Sequence, residues 1–181
     1  MATLELPDYI GHDLVCLSVG LNPSIPSAKA GFYFANPRNR FWKAFNLAGI
    51  VDTQLIPGID AHELLLQKYK IGFTDVVKRP SRMGHELRAN DYKRDAVLLR
   101  EKIEKFRPRL IWLHGKVAAS KFLHYAYECK ENINWGCNAV EVMAPFEIFV
   151  SPNPSPANAQ FSLADLQEYY KNLKAIIDSY Y

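Results

Sequence analysis

Three polar segments of the sequence follow short apolar runs, and their side chains could act together on a bound substrate. The first is Asn22-Pro23-Ser24, the second contains Asp75, and the third is Asn153-Pro154-Ser155. A following proline restricts the backbone of Asn22, which presents its side chain at the end of the preceding run. A carboxylate such as Asp75 can act as a general acid or base. Each segment alone also fits an ordinary turn or a capping carboxylate, so only its place in the fold can distinguish a functional role from a structural one.

The pattern of apolar residues predicts the elements that position these segments. Short apolar runs predict strands over residues 14–19, 71–77, 110–113 and 146–150, with a weaker candidate over 138–143. Helical spacing predicts helices over residues 39–48, 61–69, 92–106 and 116–127, and a glycine-containing loop before the first of them. A capping box, Ser162-Leu163-Ala164-Asp165, predicts the start of a C-terminal helix. Its expected apolar stripe is Leu166, Tyr169, Leu173, Ile176 and Tyr180.

Strands that alternate with helices predict one three-layer α/β/α domain over residues 1–181, with a mainly parallel central sheet. Open parallel sheets bind ligands outside the carboxyl ends of their strands. The three polar segments lie near or just after the ends of predicted strands, so we expect them to meet at that edge.

The composition limits the class of protein. The chain has 181 residues, of which 49% are hydrophobic and 23% are charged, close to the average for globular domains. No apolar run approaches the ~20 residues that span a bilayer, and the N-terminal segment does not have the pattern of a signal peptide. Cys16, Cys129 and Cys137 form no metal-binding motif, so we expect no metal site. A cytoplasmic protein is expected, associated with the nucleoid if the source is prokaryotic.

Positive charge is concentrated in one part of the chain. Between Lys78 and Arg109 there are 11 Lys and Arg residues against 5 Asp and Glu residues, whereas the whole chain has a net charge of only +3. Such a segment is typical of a surface that binds a polyanion. A solvated helix face with paired charges explains residues 95–109 equally well.

Taken together, five segments resemble the mismatch-specific uracil/thymine DNA glycosylase family. They are GLNPS, GFYFANPRNRFWKAFNLAGI, IGFTDVVKRPS, PRLIWLHGK and VSPNPSPANAQFS, in that order between about Val15 and Leu173. The resemblance implies the uracil-DNA glycosylase fold and a monofunctional, cofactor-free enzyme that acts as a monomer. Its substrate would be double-stranded DNA with a deaminated or mismatched base, from which it flips out and excises uracil or thymine.

The resemblance also implies two catalytic residues. The asparagine that corresponds to Asn22 positions the attacking water in the family. Better-known members carry lysine or asparagine where this chain has Asp75, and an acid at this position could be the general base. No lysine is placed as a nucleophile, so we expect hydrolysis without strand cleavage.

The remaining implied roles are substrate and DNA contacts. Phe34 corresponds to the ring that stacks on the flipped base, and Ser27 lies near the position that meets C5 of the pyrimidine. The implied substrate-binding residues are Gly20, Leu21, Ser27, Phe34 and Asn153. The implied DNA-binding residues are Lys116, Ser155, Pro156, Ala157, Asn158 and Gln160.

The loop that enters the minor groove departs from the family pattern. Members usually carry arginine or leucine where this chain has Ala157. A methyl group is too small to fill the space that the flipped base leaves in the duplex. Gln160 corresponds to a residue that reads the widowed base, and Lys116 to a phosphate contact at a helix start. Two alternatives remain open at this point: action on other deaminated bases such as hypoxanthine or xanthine, and a non-catalytic DNA- or nucleotide-binding α/β module.

Overall fold

A five-stranded sheet forms the centre of the computed structural model, which describes residues 4–181. The strands are β1 (Cys16–Gly20), β2 (Ile71–Asp75), β3 (Leu110–His114), β4 (Gly136–Asn138) and β5 (Glu147–Ser151). Their order is β2-β1-β3-β5-β4, and every pairing is parallel except that of β4 with β5. Within the described range, six α-helices surround the sheet: α1 (Ile25–Ala30), α2 (Phe41–Ala48), α3 (Ile59–Gln67), α4 (Ala89–Phe106), α5 (Lys116–Tyr127) and α6 (Leu163–Asp178).

Two apolar clusters, one on each face of the sheet, hold the helices in place. On one face, residues of α2, α3 and α6 pack against alternate strand residues such as Phe73 and Trp112. On the other face, α4 and α5 pack against strand residues such as Ile111 and Leu113. This alternation follows from the period of two along a strand that is buried on both faces. The predicted three-layer α/β/α fold with a mainly parallel sheet is confirmed.

The strand register aligns the carboxyl ends that matter for the site. Gly20, the last residue of β1, is paired with Asp75, the last residue of β2. His114, the last residue of β3, is paired with Ser151 at the end of β5. The loops that follow these four strands therefore leave the sheet at one edge.

The structure corrects two local predictions in the loops. The loop expected before residue 39 contains α1, a helix of six residues that Ser24 caps by accepting a hydrogen bond from the Ser27 amide at 3.2 Å. A helix this short, with Pro26 in its first turn, has too few apolar positions to show a period. The strand expected over 138–143 is wrong, because β4 ends at Asn138 and residues 141–143 form a 3₁₀ turn.

The C-terminal helix begins where its capping box predicts. Ser162 accepts a hydrogen bond from the Asp165 amide at 3.1 Å, and the Asp165 carboxylate accepts one from the Ser162 amide at 2.7 Å. The expected apolar stripe is partly wrong: the buried residues are Leu166, Tyr170, Leu173 and Ile177, and Tyr169, Ile176 and Tyr180 are only half-buried at their border. Residues three or four apart share a helix face, so the apolar residues of α6 form two neighbouring stripes, and the sequence spacing does not show which of them is fully buried.

No helix within residues 4–181 combines the length and the apolar character that crossing a bilayer requires.

Candidate active site

A cavity of about 150 Å³ lies at the carboxyl edge of the sheet. Both predicted catalytic residues and all the predicted substrate-binding residues line it: Gly20, Leu21, Asn22, Ser27, Phe34, Asp75 and Asn153. They come from the end of β1 and the loop after it, from α1 and the segment that follows it, from the end of β2, and from the loop after β5. The parallel register brings the three strand ends together. The structure thus shows one polar cavity, whereas the role of each residue stays a prediction.

The loop after β2 fixes the side chain of Asn22. Its Nδ2 donates hydrogen bonds to the carbonyl oxygen of Arg79 at 3.0 Å and to Oγ of Ser81 at 2.8 Å. Using the amide nitrogen in this way determines the orientation of the whole amide group. Oδ1 receives no hydrogen bond from a residue of the described range, and it can therefore accept one from water.

Asp75 is the buried carboxylate of the cavity. Only 4% of the residue is exposed, and its Oδ2 has no hydrogen-bond partner among residues 4–181. Burial raises the pKa of Asp75 to about 7, because the charged form loses its hydration. If Asp75 were a loop cap, its oxygens would accept nearby backbone N–H groups, and no such bond is present among the described residues. A carboxylate that titrates near neutral pH can accept a proton at that pH.

A cluster of charges beside β2 acts on Asp75. Asp8 accepts hydrogen bonds from Nζ of Lys78 at 2.7 Å, from Nζ of Lys102 at 2.5 Å and from Oγ1 of Thr74 at 2.8 Å. Burial acts to raise the pKa of Asp8, but the two ammonium groups outweigh it and lower the pKa. The two lysines lower the pKa of Asp75, whereas Asp8 raises it, and neither effect exceeds that of burial.

The ring of Phe34 forms an aromatic wall of the cavity. Phe34 has φ of +59°, a conformation that bulky residues rarely adopt, and it is half-buried. Its ring stacks on Phe41 with a centroid distance of 4.0 Å and an interplanar angle of 15°. The buried hydroxyl of Ser27 accepts a hydrogen bond from the Ala35 amide at 3.1 Å, which ties this segment to α1. A strained residue held by its surroundings at a cavity is typical of a functional position.

His114 also lines the cavity, and our interpretation of the sequence did not include it. It is buried at the end of β3, with Nε2 2.7 Å from Oγ of Ser18. Its Nδ1 has no partner among the described residues, and burial lowers the pKa to about 3, so the ring is neutral. The signal available in the sequence was the same as for Asn22 and Asp75: a polar residue at or just after the end of an apolar strand.

A second cleft, of about 450 Å³, adjoins the cavity and shares several lining residues with it. Five of the six predicted DNA-binding residues line it: Lys116, Ser155, Ala157, Asn158 and Gln160. Pro156 is exposed in the same loop. Lys116 is the first residue of α5, and its Nζ lies 4.9 Å from the ring centroid of Trp135.

Arg40 fixes the conformation of the loop over residues 154–161, and our interpretation of the sequence did not include this residue either. Its guanidinium donates hydrogen bonds to the carbonyl oxygens of Ser155 at 3.0 Å and Asn158 at 2.9 Å, and also to that of Phe161. Its backbone amide donates to the Pro154 carbonyl oxygen at 3.2 Å. These bonds connect positions more than 110 residues apart, so no local pattern could have predicted them.

No group of three or more His, Cys, Asp or Glu side chains within residues 4–181 is arranged to hold a metal ion.

Two comparisons relate the chain to known proteins. Residues 7–174 match the sequence profile of the family described as the uracil DNA glycosylase superfamily. The solution NMR structure of a Methanosarcina acetivorans protein, described as a candidate uracil DNA glycosylase, is similar with a TM-score of 0.62. The two chains are 22% identical, and the match covers 95% of this chain and 96% of the other. At that identity the second comparison supports the fold alone.

Proposed function

Because the chain belongs to the uracil DNA glycosylase superfamily, we propose that it is a monofunctional enzyme that excises uracil from mismatched double-stranded DNA. The observation that supports this most strongly is that Asn22 and Asp75 line the same cavity as the ring of Phe34. Thymine in a mismatch is a second substrate in this proposal. Excision would leave an abasic site and begin base-excision repair.

Base recognition requires that the target nucleotide leaves the duplex. Rotating a base out of the stack costs a few kcal/mol, least for a mispaired base. The cavity of about 150 Å³ is suited to a single base rather than a nucleotide. Phe34 provides a π surface for it, and stacking of this kind is worth roughly 1–3 kcal/mol per base. Ser27, which is buried and lines the cavity, would lie beside C5 of a pyrimidine and favour uracil over thymine, which carries a methyl group at C5.

Hydrolysis then needs an oriented water molecule and a base. Oδ1 of Asn22 accepts a hydrogen bond from the water, and the ionised carboxylate of Asp75 accepts its proton as the water attacks C1′ of the sugar. The C1′–N bond breaks, its electron pair leaves with the nucleobase, and the hydroxyl remains on C1′. The negative carboxylate also stabilises the positive charge that develops on the sugar. Because Asp75 titrates near neutral pH, a substantial fraction is ionised under ordinary conditions.

The adjoining cleft would bind the DNA strand that carries the target. Lys116 and the backbone N–H groups at the start of α5 form a site for a phosphate. The loop over residues 154–161, held by Arg40, would approach the minor groove beside the flipped nucleotide. These contacts would fix the register of the enzyme on the duplex.

Incubation with a panel of oligonucleotides tests this proposal. Duplexes with U:G, U:A, T:G and hypoxanthine, together with single-stranded uracil DNA, are treated with the protein and then cleaved with alkali at abasic sites. The proposal predicts that cleavage is fastest for U:G and that Asn22→Ala loses most of it while still binding DNA. Preference for hypoxanthine would indicate a different deaminated base as the substrate. No abasic sites with any substrate would indicate a non-catalytic DNA-binding module.

A further inference from the structure

The side chain at the tip of the loop over residues 154–161 is too small to occupy the place of a flipped base. Ala157 is exposed there and lines the second cleft, and it offers only a methyl group. Proteins that unstack a base step generally insert a larger apolar side chain, such as Phe, Leu, Ile or Met. If the protein acts on duplex DNA, another residue beside the cavity has to fill that space.

Residues 81–84, which we call the lip and three of which line the same cleft, include such a side chain. Met83 lines the cleft from the loop between β2 and α4, and 44% of the residue is exposed. Its flexible, unbranched side chain can adapt to an irregular space. Arg82, next to it, is exposed and lines both the cleft and the cavity.

Hydrogen bonds connect this lip directly to Asn22 and Pro23 in the loop after β1. Oγ of Ser81 accepts a hydrogen bond from Nδ2 of Asn22 at 2.8 Å and donates one to the carbonyl oxygen of Met83 at 2.8 Å. The Ser81 amide donates to the carbonyl oxygen of Pro23 at 3.1 Å. The position of Met83 is thus fixed relative to Asn22 by a single intervening side chain.

Close packing supports the same arrangement. A Cβ placed on Gly84 would lie 2.7 Å from Cδ2 of Leu21, a residue that lines both the cavity and the cleft. The glycine therefore lets the lip approach the end of β1. The lip also lies within the basic part of the chain between Lys78 and Arg109, which suits an approach to phosphates.

We propose that Met83 is the wedge that enters the duplex at the target base step, with Arg82 beside it against the backbone or the minor groove. This inference rests on the proposed function, because it assumes a duplex DNA substrate. In it, the lip over residues 81–84 takes over the role that the small side chain of Ala157 does not serve. One loop would then both hold Asn22 and fill the space that the flipped base leaves.

The test compares Met83→Ala with Leu98→Ala, in which an apolar side chain with 46% exposure is removed from α4 outside the cleft. Single-turnover excision is measured on a U:G duplex and on single-stranded uracil DNA. We expect Met83→Ala to slow excision from the duplex by about tenfold and to leave the single-stranded rate within about twofold of the original protein, since a single strand needs no wedge. Leu98→Ala should match the original protein on both, and Met83→Leu should retain most of the duplex rate.

A second measurement does not depend on catalysis. A duplex with an abasic analogue and 2-aminopurine as the neighbouring base reports unstacking as a rise in fluorescence when the protein binds. Met83→Ala should bind with a smaller rise than the original protein and Leu98→Ala. An equal rise for all three, or an equal loss of rate on single- and double-stranded DNA, would overturn the wedge. Absence of excision by the original protein would contradict the proposed function instead, and the fluorescence would still decide the role of Met83.

Discussion

Gly20 faces Asp75 across the first pair of parallel strands, and the carboxylate occupies the place where a side chain on Gly20 would be. A Cβ built on Gly20 would lie 2.6 Å from Oδ1 of Asp75, closer than such atoms approach in proteins. The two residues are register partners at the ends of β1 and β2. The glycine thus creates the room in which a buried carboxylate can face the cavity.

Replacing Gly20 tests this relationship. Gly20→Ala should displace the carboxylate while the sheet stays intact, and a misplacement of about 1 Å can lower a rate by about 100-fold. Gly11→Ala is a matched control, because a Cβ at Gly11 would meet its nearest atom at an ordinary 3.9 Å. Single-turnover excision and thermal melting of both variants are the measurements. Equal rates for Gly20→Ala and Gly11→Ala would show that the position of Asp75 does not matter.

The aromatic wall can be separated from the core by comparing two phenylalanines. Phe34 and Phe32 are both half-buried and pack against the same apolar cluster, but only Phe34 lines the cavity. Loss of base stacking predicts that Phe34→Ala slows excision by about tenfold to a hundredfold. Phe32→Ala should excise uracil at nearly the original rate, and the melting temperatures of the two variants should fall by similar amounts. A stability loss near the roughly 3–5 kcal/mol of a core phenylalanine, with normal excision, would assign Phe34 to the core.

Binding at several salt concentrations tests the phosphate contact. Lys116→Ala should weaken DNA binding for all sequences and reduce the slope of log K against log[salt] by about 1, because one phosphate contact is lost. Lys121→Ala is the control on the same helix: its Nζ lies over the rings of Tyr92 and Tyr125, outside the cleft. If both variants keep the original slope, Lys116 does not contact a phosphate.

The raised pKa of Asp75 predicts a dependence of stability on pH. Its carboxyl titrates at about 7 in the folded protein, against about 3.9 when unfolded. Stability from the neutral carboxyl is therefore complete below about pH 4 and is lost as the pH rises to about 7. Asp75→Asn removes this dependence, so the variant should be the more stable protein at pH about 8 and close to the original at pH about 4. Denaturant unfolding at both values checks this, and the opposite order at pH about 8 would contradict a buried, unpaired carboxylate.

Local patterns predicted what depends on neighbours in the chain. The capping box at Ser162, and the positions of Asn22 just after β1 and of Asp75 at the end of β2, follow from short sequences. The parallel sheet then brings the strand ends together. The contact between Ser18 and His114 joins residues 96 positions apart, and Arg40 reaches a loop more than 110 residues away. Such contacts depend on the packing of the whole domain. A single sequence shows them only as polar residues in apolar surroundings.

Hydrolysis by a water molecule between Asn22 and Asp75 is tested most directly by the single-turnover rate of Asp75→Asn on a U:G duplex at saturating enzyme. The variant keeps the shape and hydrogen-bonding capacity of the side chain but cannot accept the proton. Since Asn22 still orients the water, the predicted result is a residual rate reduced by about 10²–10⁴-fold, the usual contribution of a general base. A normal rate, together with a lowered melting temperature, would contradict this mechanism and would make Asp75 a structural residue.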